Sequence, residues 1–173
     1  MVDRFERMAH DLFMFSAFFE SFRYVSHLIP LAFMRVYMGY YFFEQGLLNA
    51  KGEFLLQPRL AAQISEWLPQ SSAPLWYKSF VGEYVVEHWR VFAYSITYFE
   101  FLIAVSFILG FFVRPVAILG MFLCLNFIYN SNPITVDLHR TMFALFFVML
   151  WAGAGRCFGF DYFFFKRHRG IWW

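Results

Sequence analysis

The stretch VFAYSITYFEFLIAVSFILGFFV (residues 91–113) holds one charged side chain, Glu100. A helix rises about 1.5 Å per residue, so this run is long enough to cross a hydrocarbon core of roughly 30 Å. No other feature constrains the chain as strongly, because it makes lipid the solvent for part of the fold. Three more apolar segments accompany it: LIPLAFMRVYMGYYFFEQGLLNA (residues 28–50, interrupted by Arg35 and Glu44), PVAILGMFLCLNFIYN (115–130) and HRTMFALFFVMLWAGAG (139–155). The last two are short, and span only with their flanks YNSNPI and FGFDYFFF or in a locally thinned bilayer. Only Arg114 separates the second run from the third, and Pro115 suits the first turn of a new helix. A tight antiparallel hairpin is predicted there. Composition agrees: 61% of the residues are hydrophobic and 15% charged, where a soluble domain has about a quarter charged.

The expected fold is therefore all-α: an integral membrane antiparallel four-helix bundle, occupying residues 28–161, with an N-terminal amphipathic interfacial helix. That arm, residues 1–27, carries Phe5, Met8, Leu12, Phe15, Phe19 and Phe22 at spacings of three and four, one helical stripe. Such a helix lies in the headgroup region, and LFMFSAFF is apolar on more sides than lipid alone requires. We expect no cleavable leader, since MVDRFERMAHDLFMF mixes acids and bases ahead of its apolar run. Residues 51–90 hold a short amphipathic helix between Pro58 and Pro69, then LWYKSFVGEYVVEHWR leading into the second span. With so few charges this outer loop is expected to fold back over the bundle. Residues 162–173 form an aromatic and basic tail.

Lysine and arginine set the orientation. Arg4, Arg7, Arg23, Arg114, Arg156, Lys166, Arg167 and Arg169 fall on one side, and Lys51, Arg59, Lys78, Arg90 and Arg140 on the other. The bias predicts a multi-pass protein with both termini cytoplasmic. The net charge of +2 gives no reason to expect nucleic acid as a partner.

An ionisable side chain at the depth of Glu100 is by default functional, with a partner to be found. Helical side chains lean toward their own N-terminus, so Glu100 leans outward and Arg35 toward the cytoplasm, which argues against their pairing. Outward of Glu100 lie Glu83, Glu87, His88, Glu44, Gln45, Asn126, Asp137, His139 and Arg140. A polar pocket in the outer half is expected, with Glu100, His88 and His139 as candidate catalytic residues. Tyr41, Gln45 and Arg140 join Glu100 as candidate cofactor-binding residues. Carboxylate and imidazoles beside an aromatic wall suit a quinone, whose carbonyls take hydrogen bonds and protons on reduction. His88 and His139 are also the one pair available for a b-type haem, which needs opposed imidazoles on facing helices. Unpaired interfacial histidines are the commoner outcome, and haem is not expected. No metal is expected either, with no HExxH or HxxxH spacing, and Cys124 and Cys157 are expected only to pack. Nucleotide and acyl-transfer motifs are missing.

Arg35, Gly39, Phe42 and Gly46 share one face of the first helix, where the glycines permit close backbone approach. The second helix has Glu100, Gly110 and Arg114, and the fourth ends Ala152-Gly-Ala-Gly155-Arg156-Cys-Phe-Gly159-Phe-Asp161. Over residues 28–161 this pattern resembles the DoxX/DoxD-like family of small four-helix membrane proteins, which includes the membrane subunit of thiosulfate:quinone oxidoreductase. The resemblance implies a prokaryotic cytoplasmic (inner) membrane, a quinone-linked oxidoreductase role in some members, and structural roles for Gly155, Arg156 and Asp161. The arm and the tail are additions to the family pattern, and through them further membrane-complex subunits are expected as partners beside the lipid bilayer. Two readings follow: a subunit of a quinone-linked redox complex, or a non-catalytic accessory subunit stabilising a larger respiratory or photosynthetic complex.

Overall fold

The computed structural model describes residues 29–156 and 159–162. The expected interfacial arm 1–27 and the tail beyond residue 162 lie outside the described residues, as do Cys157 and the side chain of Arg156. Within the described residues every regular element is helical, with no strand. Four helices are long: α1 (Ile29–Lys51), α4 (Trp89–Leu109), α5 (Val113–Asn130) and α6 (Pro133–Ala152). Between α1 and α4 come α2 (Arg59–Trp67), α3 (Leu75–Ser79) and a π-helical stretch, Phe80–Val85. Helices α4, α5 and α6 are long and apolar enough to cross a membrane. Their outer faces carry Tyr98, Leu102, Val105, Ile118, Phe122, Phe147 and Trp151, all exposed. Apolar surface this extensive marks a chain solvated by lipid.

Local chemistry sets the helix ends, and two of them differ from expectation. The second run does not continue to residue 113. Gly110 adopts φ 67°, the left-handed conformation that closes a helix, so α4 stops at Leu109. The connection is Gly110–Phe111–Phe112, and Arg114 belongs to the first turn of α5 beside Pro115. The fourth helix starts at Pro133, ahead of the expected His139. Asn132 Oδ1 accepts from Ile134 N at 2.9 Å, and Pro133 needs no donor there. That cap turns a short apolar run into a 20-residue helix.

The GAGR…G.D ending folds back onto the α4–α5 turn. Asp161, 2% exposed, accepts from Phe112 N at 2.8 Å and Val113 N at 3.1 Å, satisfying donors at the start of α5. In return Asp161 N donates to Gly110 O at 3.0 Å, and Phe160 N to Leu109 O at 3.3 Å. Arg35 reaches across from α1 and donates from Nη1 to Ala154 O at 2.9 Å. Gly155 leaves room for the Asp161 carboxylate, and Gly159 for the Arg35 guanidinium. Burial raises the pKa of Asp161, opposed by the two N–H bonds and by Arg35 and Arg114.

Helix α1 lies antiparallel along α4, and α5 along α6. The buried face of α1 is Ala32, Arg35, Met38, Gly39, Phe42 and Gly46. Gly39 sits directly on the α4 backbone at Ala104 and Ile108, and Gly46 on the Phe101 ring. Phe146 joins the two pairs, with ring centroids 5.3 Å from both Phe42 and Phe107. At the other end residues 51–88 fold back, as expected of so uncharged a segment. Leu60, Ile64, Leu68, Val81 and Val85 form a second apolar cluster over Ala93.

A Cβ on Gly39 would lie 2.9 Å from Ile108 Cγ1 and 3.0 Å from Ile108 N. Gly39→Leu is expected to force α1 off α4 and cost about 1–3 kcal/mol in detergent unfolding. Gly82→Ala, where a Cβ meets only open space, should cost nothing. Equal stability of the two variants would contradict the close helix contact.

Candidate functional site

A cavity of about 470 Å³ lies between the long helices, beneath the folded-back segment. Its position follows from the α1–α4 register. Gly46 packs on Phe101, yet Gly46 is near the end of α1 while Phe101 is three turns into α4. Helix α4 therefore begins about 10 Å beyond the end of α1. Helices α2 and α3 and the π-helical stretch fill the step, and the cavity remains below them.

Tyr41, Phe42, Gln45 and Asn49 line it from α1, and Ser95, Ile96, Phe99 and Glu100 from α4. Helix α5 adds Phe122, Leu123, Asn126, Phe127 and Asn130, and α6 adds His139 and Met142. Gln63, Ile64, Tyr77, Phe80 and Val81 form the roof. Glu100 is 4% exposed, and its Oε2 accepts from Asn49 Nδ2 at 2.7 Å. The His139 ring packs on Phe127, centroids 5.1 Å apart. Among the described residues Glu100 is the one carboxylate of the lining, His139 the one imidazole, and no lysine or arginine lines it.

The structure brings Glu100, His139, Tyr41 and Gln45 to one cavity. It does not bring His88 or Arg140. His88 is exposed just before α4, with Nδ1 3.1 Å from Tyr84 O and its ring against the Tyr84 ring. The opposed imidazoles that a haem needs are thus not formed by His88 and His139. Arg140 is exposed on the far side of its helix and pairs with Asp137 at 2.9 Å. Among the described residues no three His, Cys, Asp or Glu side chains are grouped to hold a metal ion. Cys124 packs in the core between α5 and its neighbours.

Asn49 is the donor that sequence reasoning missed. The stagger of α4 past α1 brings Asn49, near the end of α1, level with the Glu100 carboxylate. The Glu100 side chain leans toward the N-terminal end of α4, which carries its carboxylate to Asn49. Asn126 accepts from Tyr77 Oη at 2.8 Å. Asn130 Nδ2 donates to the same phenol at 2.8 Å, and Gln63 Nε2 donates to Asn130 O at 3.1 Å. These bonds tie the roof to α5. Asn126 and Asn130, four residues apart in an apolar helix, were the sequence signal for a shared polar partner. Burial raises the pKa of Tyr77, and the Asn130 bond partly offsets it.

Compared with protein families, curated proteins and solved structures, the chain matches none.

Tyr77→Phe removes both bonds between the phenol and α5 while keeping the ring on Tyr129. Hydrogen exchange should then rise in residues 59–85, with a loss of about 1–3 kcal/mol from the unsatisfied asparagines. Unchanged protection there would show that the roof is not held by this phenol.

Proposed function

We propose that the chain is a four-helix transmembrane protein of the DoxX/DoxD-like kind whose cavity holds a quinone, serving as a subunit of a membrane redox assembly. The observation that carries this reading is the cavity itself, where Glu100 and His139 face a wall of aromatic rings. Its volume lies within the range of small-molecule sites, which are mostly apolar with a few placed polar groups. Tyr41, Gln45 and His139 supply hydrogen-bond donors suited to quinone carbonyls, and Phe99 and Phe127 supply flat apolar contact. Glu100 is placed to hold or release a proton beside the ring. A bound quinone would supply two-electron, two-proton exchange with a soluble or peripheral redox partner.

The fourth span in this reading is α1. It is as long as its neighbours and buries Arg35 against Ala154 O, away from lipid. In this reading both termini lie in the cytoplasm, as the lysine and arginine bias favours, and the cavity lies in the outer half of the prokaryotic inner membrane that the family resemblance implies. The 1–27 arm and the C-terminal tail would meet further subunits on the cytoplasmic side.

Photolabelling of the full chain in nanodiscs with an azido-quinone tests the reading. Label is expected on cavity residues of α1 or α6, and excess unlabelled quinone should displace it. Glu100→Gln should keep the fold and alter the yield of label. Uncompeted label spread over the lipid-facing residues would overturn the quinone reading and leave the accessory-subunit role.

A further inference from the structure

The donors of the lining answer the needs of a quinone, and they leave one group unanswered. Glu100 Oε2 is bound by Asn49, but Oε1 accepts no hydrogen bond from the described residues, and it is not sealed from the cavity. Removing a carboxylate from water is costly unless a counter-charge or several donors replace the water. One amide is a weak replacement. Among the described residues neither lysine nor arginine lines the cavity, and Arg35, the arginine buried in α1, is engaged with Ala154 O at the opposite end of that helix. Among the described residues no cation meets Glu100, and the cavity beside it has room for one carried by a ligand.

The rest of the lining fits the same requirement. Tyr41, Phe92, Phe99, Phe127 and Tyr77 line the same cavity as Glu100. Ring faces attract cations, most strongly where water is excluded. We propose that this cavity binds an organic monocation, an ammonium or protonated amine carrying an apolar body, with Glu100 as its counter-ion and the aromatic side chains as its wall. Metal cations are disfavoured, because a single carboxylate with amide neighbours supplies too few ligands to replace a hydration shell. The proposal concerns a ligand class distinct from quinone, and the two would compete for one space.

Equilibrium dialysis of benzyltrimethylammonium against the full chain in phosphatidylcholine nanodiscs tests this, with empty nanodiscs and benzenesulfonate as controls. Saturable binding of one cation per chain is expected, with none of the sulfonate. Glu100→Gln should weaken binding at least tenfold, and Gln45→Lys, which places a cation inside the lining, should abolish it. Circular dichroism establishes that both variants are folded, and Glu100→Asp, which keeps the charge, should retain binding should the glutamine variant fail to fold. Equal uptake by wild type and folded Glu100→Gln, or uptake matched by empty nanodiscs, overturns the proposal. Quinone labelling without cation binding removes this inference and leaves the quinone reading. Cation binding without quinone labelling does the reverse, and failure of both removes both.

Discussion

The contact between α1 and α4 sets the rest of the structure. Gly39 lets α1 touch the α4 backbone at Ala104 and Ile108, and Gly46 lets it settle on Phe101. Without a side chain at these two positions the helices approach closely enough for dispersion to hold them, which matters where lipid tails offer no hydrophobic drive between helices. The same two contacts fix the register. Register then decides which polar residues of α1 meet which of α4, and at which end.

Each end of the pair resolves a different polar problem. Near the α4–α5 turn, chain reversal exposes backbone donors and acceptors that lipid cannot satisfy. Asp161, Gly110 and Leu109 answer them through the returning C-terminal segment, and Arg35 ties that segment to α1 through Ala154 O. At the other end the stagger of α4 past α1 opens a step. The folded-back segment covers that step through Tyr77, Gln63, Asn126 and Asn130. One end is closed by tight glycine packing around a carboxylate. The other keeps a carboxylate, Glu100, beside empty space.

Much of this was legible in the residues. Apolar run length gave the helices, and the paucity of charge in residues 51–90 gave a segment that packs back onto them. Hidden were the quantities that depend on two helices at once. Gly110 ends α4 inside what reads as one apolar run, because hydropathy does not register a left-handed glycine. Asn132 and Pro133 start α6 outside the apolar stretch for the same reason. Asn49 was missed because the ends of α1 and α4 are not level, which neither helix shows alone. His88 and Arg140 are exposed and held by Tyr84 and Asp137, away from the cavity, which sequence spacing cannot separate from residues facing inward. The GAGR…G.D ending, met first as a resemblance, has a physical content of its own. Gly155 and Gly159 clear the space in which Asp161 and Arg35 close the turn.

The central claim is that Glu100 is held inside the helix bundle by Asn49 and not turned toward lipid. A double-mutant cycle with Asn49→Leu and Glu100→Leu, read as unfolding free energy in a neutral detergent, tests it most directly. Each single change strands a buried polar group, so the pair should be non-additive, with a coupling of about 0.5–3 kcal/mol. Strict additivity of the two changes would mean that the side chains do not meet, and would contradict the register on which the cavity depends.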